Sequence, residues 1–448
     1  MPQHDAIVLG GGFAGLTAAH VLRKAGWDVV VIEAADEVGG RVRTVRRQGY
    51  TIDVGATQMS TGYRQYLDLC AELGLADEMH RSCPYVGMLR DGRIHAIDAR
   101  SLVSSALSPA LSLRAKLSLI HTVRDALAIR PPVDVFDVSR SHAVDVESAA
   151  DYARRRLGDE TYRMLVDPLI RCYVMNSAEQ VSALEWFSTL RNLGGQTMLS
   201  MNGGNDRLPK ALAKHLDVRL ETQALSLERT PSGVTVTLRE RAGGTARLEA
   251  RTCVMATRLN EALAIDPALR PVAGPLGEKL VYNRAWVVHL GYRVAPALKV
   301  VGSLIPTAEC PEVGLLWLEH NKNPDRVPAG HALFSVYSDE AANHRCYDAP
   351  DADLVQLATR FVERLFPALR GEQDLTHVTR WPCAIPNPAP GFYKDVAAMK
   401  SRIDPDSPVQ LAGDYLTCTG QNSAIFYGRK AAEHLLARFP ASSARKAA

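Results

Sequence analysis

Glycines 10, 12 and 15 form a G-x-G-x-x-G run that follows a short apolar stretch and opens a helical pattern. That order commits the start of the chain to a strand, a tight turn and a helix. Residues 6–9 (AIVL) are short and apolar, as a buried parallel strand should be. Gly10 permits the turn, Gly12 lacks a Cβ and lets the backbone approach a phosphate, and Gly15 lets the helix pack on the strand. Phe13 and Ala14 complete the loop at the helix start, where free N–H groups suit a pyrophosphate. Helical character runs over 14–24 and ends at Gly26, and 28–32 reads as the second strand. Glu33 closes that strand 18 residues after Gly15. A carboxylate there accepts hydrogen bonds from ribose hydroxyls and repels a 2′-phosphate, so the expected ligand is a dinucleotide without one.

The 448 residues are 46% hydrophobic, enough for two or three domains. The 52 basic and 49 acidic side chains leave a net charge of +3, which implies no nucleic-acid partner. Eight cysteines are scattered without a C-x-x-C pair, so reduced thiols are expected, with no metal site and a cytoplasmic location. No signal peptide precedes the first strand, and no apolar run reaches the ~18 residues of a membrane span. The nearest candidate, 102–129, is interrupted by Arg114, Lys116, His121, Arg124 and Asp125.

After Glu33 come Ala34 and then Gly39-Gly40-Arg41-Val42-Arg43-Thr44. Two glycines permit close backbone approach, and Arg41 and Arg43 can neutralise a diphosphate. This segment resembles the superfamily of flavin-dependent amine oxidases, protoporphyrinogen oxidases and phytoene-type desaturases. The resemblance implies FAD, with Gly55, Ala56 and Thr57 bordering the flavin. It continues through 203–209 into a helix at 210–215, paired strands at 218–220 and 224–228, a hairpin partner at 234–238 and a short buried strand at 253–257. There it implies that the backbone of Ala224 meets adenine and that Thr257 returns to the dinucleotide. A strand at 409–412, Gly413-Asp414 and a helix over 423–437 form the third segment. Asp414 is implied to hold the ribitol, and the helix N-terminus to face the flavin pyrimidine with its partial positive charge. The implied architecture is an α/β, Rossmann-like FAD-binding domain from 1–65, 201–270 and 400–440. An α+β substrate domain from 66–200 and 271–399 is interleaved with it, and 441–448 is expected to be a flexible tail.

Residues 147–160, 167–169, 181–182 and 380–386 look particularly like protoporphyrinogen oxidases and squalene-associated desaturases. Two departures from the amine oxidases stand out. The strand expected over 286–292 has no lysine, and the positions matching the aromatic amine cage are Pro386 or Pro388 and Gly420. Candidate pocket residues are Trp381, Pro386, Tyr393, Tyr415 and Gly420. Gln421 and Asn422 are expected at the flavin edge or substrate, with helix capping by Asn422 an equal alternative. His121, His142 and His289 read as surface or core histidines rather than bases, and Cys418 as an inert small residue. Apolar residues over 107–127 suit a membrane contact or a lid, with ordinary core packing the favoured reading.

The expected activity is hydride removal from a bulky, largely apolar small molecule to flavin N5, forming a C=C or C=N bond. O2 or another acceptor takes the electrons, the FAD is non-covalent and a peripheral membrane contact is allowed. Amine oxidation and redox-neutral, flavin-dependent isomerisation remain alternatives, and a non-catalytic FAD-binding protein has little support.

Overall fold

The computed structural model describes residues 4–98, 100, 101, 104, 107–193, 195–241, 243–417 and 419–440. Cys418, the tail 441–448 and part of 102–106 lie outside the described residues.

The first sheet is organised around His4–Leu9, a strand buried over most of its length. Parallel neighbours run in the order Asp217–Arg219, Val29–Ile32, His4–Leu9, Thr245–Met255 and Val409–Leu411. Strands this apolar on both faces need helices on either side. Phe13–Lys24 and Gln421–Arg438 cover one face through Ala18, Ala19, Ala431 and Ala432, whose small side chains bring the two helices close. Closest approach is at Gly428, where a Cβ would lie 2.1 Å from the carbonyl oxygen of Ala14.

Three expected elements differ in the fold. The strand at 253–257 is the end of a longer one, Thr245–Met255. Its first half pairs with the hairpin strand Gly233–Glu240 and its last residues with Val409–Leu411. Asp217–Arg219 does not pair with the following strand. It joins the parallel sheet beside Val29–Ile32, because Glu221 ends it with a left-handed turn (φ 49°). The helix expected at 210–215 starts earlier, at Arg207–Ala213.

A second, mostly antiparallel sheet comes from other parts of the chain: Tyr85–Arg90, Arg93–Asp98, Tyr282–Tyr292, Gly302–Leu304, Val313–Leu318, Ala332–Ser338 and Gln373–Pro386. Period-two alternation sorts its residues. Trp286, Val288, Leu290, Leu316 and Phe334 share a core with the amphipathic helix Asp351–Leu365, through Leu354, Ala358 and Phe361. The opposite face carries Val287, Leu315, Trp317 and Tyr337.

The favoured packing of 107–127 is corrected here. On the helix Leu113–Ala128 only Ala115 and Thr122 are buried, while Leu113, Leu117, Ile120, Val123 and Leu127 face outward. The inner side of this helix keeps the expected packing at Ala115 and Leu119, the latter against the main core, and is otherwise held by polar groups: Ser118 bonds to Thr161, and Asp125 to Arg156 and Tyr152. No helix among the described residues is long and apolar enough to cross a membrane.

Candidate flavin and substrate site

Gly10 has φ +108°, a conformation that L side chains rarely adopt, and a Cβ there would meet Ala256 O at 2.7 Å. The loop therefore lies against the end of strand Thr245–Met255, next to Thr257. At Gly15 a Cβ would sit 1.9 Å from Gly10 O, so this glycine sets the packing of helix on strand. Gly12 differs. Its φ/ψ of −81°/−177° suits any residue, and the nearest atom to an added Cβ is Gly40 Cα at 3.9 Å. The space in front of it is open. The helix beginning at Phe13 has no side-chain cap and no acid in its first turn, which leaves its leading N–H groups for an anion.

The Gly39-Gly40 turn forms the other wall. Gly39 N–H donates to Gly11 O at 2.8 Å, and Gly40 (φ +59°) faces Gly12. Glu33 braces the loop by accepting from Gly11 N at 2.6 Å and Ala35 N at 2.8 Å. Each carboxylate oxygen keeps a second lone pair for a hydroxyl. Exposed Ala34 follows, and the chain from Glu221 and Thr222 bonds back to Ala35 and Glu33. That brings the register shift at Ala224 to the same end of the cleft.

At the other end three distant segments meet. Arg41 donates to Asp414 Oδ1 at 2.9 Å and to Ala384 O at 3.0 Å. Burial works against the charge of Arg41, but buried Asp414 more than offsets it and holds the guanidinium above its ordinary pKa. Gly55 lies under Arg41 O and beside the Trp381 ring, whose Nε1–H donates to Val54 O at 2.7 Å. Ala56 is exposed and its carbonyl accepts from Gln421, while Thr57 is buried. Gly413 packs on the ring of Tyr415, which is fully buried with its hydroxyl unpartnered. Pro386 pairs with Tyr282 at the sheet end.

Other candidates fall elsewhere. Tyr393 is sealed in the main core with its hydroxyl on Glu185, because the helix Phe392–Arg402 turns that side chain inward. Arg43 is engaged by Asp36 at 3.1 Å and Glu37 at 3.5 Å. Gly420, not Asn422, is the N-cap of the last helix, and Asn422 Oδ1 instead accepts from Tyr66 N at 3.2 Å. Gln421 Nε2 donates to Gln58 O at 3.1 Å, which turns its buried Oε1 to the opposite side without a partner. His289 bonds Ser335 at 2.9 Å, and burial lowers its pKa to about 3, so it is a poor base. Cys172, also buried, is pushed up to about 12 and stays a thiol.

Sequence reading missed the apolar wall. Cross-strand partners share a face, and Ala285 opposite Trp381 places Val287, Tyr337 and Leu315 on the side turned to residues 54–57. Partly buried Tyr173 and Met198 adjoin them. The alternation within 313–318 was the available signal, hidden because these strands are apolar on both faces. A buried network of Arg326 with Asp53 (2.8 Å) also escaped notice, its partners lying far apart in sequence.

The open space at Gly12, the free helix end, Glu33 and the unpartnered Gln421 Oε1 fit a dinucleotide with a polar ring edge. Comparison with known proteins agrees. A family model for flavin-containing amine oxidoreductases matches residues 13–436. The chain belongs to that family. It is an FAD-dependent oxidoreductase. Over 97% of this chain and 98% of the relative it is 22% identical to coproporphyrinogen III oxidase of Bacillus subtilis. It is 27% identical to coproporphyrinogen III oxidase of Mycobacterium tuberculosis, over 99% of this chain and all of the relative. Cyclohexylamine oxidase from Brevibacterium oxydans shares the fold with a TM-score of 0.78 at 20% identity, covering 96% of this chain and 98% of that one.

Proposed function

We propose that this enzyme dehydrogenates a bulky, largely apolar small molecule of the reduced tetrapyrrole class, forming C=C or C=N bonds. FAD, held non-covalently, supplies the hydride acceptor, and O2 or another oxidant takes the electrons onward. The apolar wall of Val287, Leu315, Trp317 and Tyr337, turned toward residues 54–57, carries this reading. Such a wall excludes water and orients a flat apolar ring by contact area rather than by charge. The strand Tyr282–Tyr292 offers no lysine. The nearby Lys322 is drawn onto Glu319 at 3.4 Å and packs against the Trp317 ring.

In this reading the N–H groups around Gly10, Gly12, Phe13 and Ala14 hold the pyrophosphate, and Glu33 binds the ribose. Arg41 and Asp414 fix the ribitol end, and Gln421 Oε1 accepts from the ring edge. The parallel sheet with its hairpin then forms the FAD domain and the second sheet belongs to the substrate domain. A cytoplasmic enzyme with a lipophilic substrate and a peripheral membrane contact fits the same picture.

The test uses purified holoenzyme with coproporphyrinogen III and protoporphyrinogen IX, read by porphyrin fluorescence and flavin bleaching without oxygen. A panel of primary and secondary amines is read by peroxide release. Porphyrin formation with flavin reduction is the expected result. Flavin reduction by amines alone would overturn it in favour of amine oxidation. Product formed with no electron acceptor consumed would overturn it in favour of isomerisation.

A further inference from the structure

The helix Leu113–Ala128 leaves an apolar stripe in solvent. Leu113 is 72% exposed, Leu117 64%, Ile120 64%, Val123 54% and Leu127 69%. The spacing i, i+4, i+7, i+10, i+14 keeps these residues along one side of a helix. Isolated exposed leucines are ordinary, but five in a row on one helix are not.

Charge decides what covers them. Residues 100–131 contain Arg100, Arg114, Lys116, Arg124 and Arg130 against a single acid, Asp125. Asp125 is already bound to Arg156 and Tyr152, and Arg100 is bound to Asp98. Arg114 and Arg124 are exposed and make no ion pair among the described residues. Arg124 lies within the stripe, four residues after Ile120 and three before Leu127, and Arg114 flanks it. An apolar stripe carrying uncompensated cations, whose long side chains can reach up to the headgroups, matches a helix lying in the interface of an anionic bilayer. A second copy of this chain would bring the same positive field to the contact, which disfavours self-association through it.

We propose that Leu113–Ala128 docks this enzyme on anionic phospholipid, with Leu113, Leu117, Ile120 and Leu127 in the acyl boundary and Arg114 and Arg124 at the headgroups. The inference deepens the peripheral contact suggested above, and binding alone tests it, so it stands or fails apart from the redox chemistry.

The experiment is flotation of the FAD-loaded enzyme with vesicles of pure phosphatidylcholine or of phosphatidylcholine with phosphatidylglycerol. Binding is expected only with the anionic lipid, and should weaken as salt rises. Leu117→Ser/Ile120→Ser should abolish it, and Arg114→Gln and Arg124→Gln should each weaken it about fivefold. All four positions are on the surface, so flavin content and melting temperature should not change. The proposal is overturned if the native enzyme fails to bind anionic vesicles, or if these variants bind as well as it does. It is also overturned if the native enzyme is a dimer that Leu117→Ser/Ile120→Ser splits, since a second copy then covers the stripe.

Discussion

Gly12 and Gly15 belong to one motif, yet alanine should act on them in different ways. At Gly12 an added Cβ meets nothing closer than Gly40 Cα at 3.9 Å, and φ −81° is open to any residue. Protein without FAD should therefore tolerate Gly12→Ala. It should even gain up to about 1 kcal/mol, because the unfolded chain loses freedom. The bound pyrophosphate would occupy the space that the methyl takes. An overpacked contact costs about 1–3 kcal/mol, which is roughly 5- to 150-fold in FAD affinity. At Gly15 the Cβ would lie 1.9 Å from the Gly10 carbonyl oxygen and 3.1 Å from Val8 Cγ1. The helix would have to retreat by about 1 Å along a packed face, so Gly15→Ala should cost about 3 kcal/mol of fold stability with or without ligand. Denaturant unfolding of both apoproteins and FAD titration by quenching of flavin fluorescence separate the two effects. Native FAD affinity in Gly12→Ala would refute the assignment of that space to phosphate. A destabilised Gly12→Ala apoprotein would refute the reading of the space as empty.

Other consequences follow from the same geometry. Arg41→Met should destabilise by about 2–3 kcal/mol, toward the low side for a broken buried pair because Arg41 is about one-third exposed. Adding Asp414→Leu should recover at least half of that loss in a double-mutant cycle on the apoprotein; simple additivity would show that the pair is not coupled. Glu33→Gln keeps the size of the side chain but loses the charge proposed to meet the ribose, and should weaken FAD binding about tenfold by titration. Burial, opposed by the Tyr393 hydroxyl, raises Glu185 to about 7. The folded state then binds its proton more tightly than the unfolded state. Stability from this group is intact below pH 4.5 and declines as pH rises toward about 7, by roughly 3 kcal/mol in all. The stability curve of Glu185→Gln should therefore draw ahead of the native one between pH 5 and 8, and parallel curves would refute the shift.

Legibility followed the physics of each element. The glycine loop and Gly39-Gly40 stood out because a backbone has few ways to turn tightly beside a strand end, and Glu33 and Arg41 stood out as charges at fixed distances from those turns. Gly413-Asp414 stood out as an acid directly after a strand and a glycine, and the structure pairs that acid with Arg41. The apolar wall was not legible. Val287, Leu315 and Tyr337 look like any residues of a buried strand until register shows which face they share with Trp381. Tyr393 misled because an aromatic near Trp381 in sequence is turned by its helix toward Glu185. The outward stripe on Leu113–Ala128 misled in the opposite sense. Apolar periodicity gives the angle of a face but not what lies against it.

This division bears on how one fold serves different substrates. In the proposed binding mode FAD is held largely by backbone groups at strand ends and helix starts, so changing side chains elsewhere would leave those contacts in place. The wall facing residues 54–57 is a mostly antiparallel sheet with register shifts at 283/285 and 313/315, and between those shifts alternate positions project side chains inward. A lysine at one such position, or aromatics at Pro386 and Gly420, would introduce a charge or a cage suited to an amine without moving the strands. This chain instead has Ala285 and Val287 there, with His289 held neutral by burial. Selection between a cationic and a flat apolar substrate then depends on a few inward side chains over an unchanged cofactor cradle. That is the arrangement expected if amine oxidases and porphyrinogen oxidases are to share one fold.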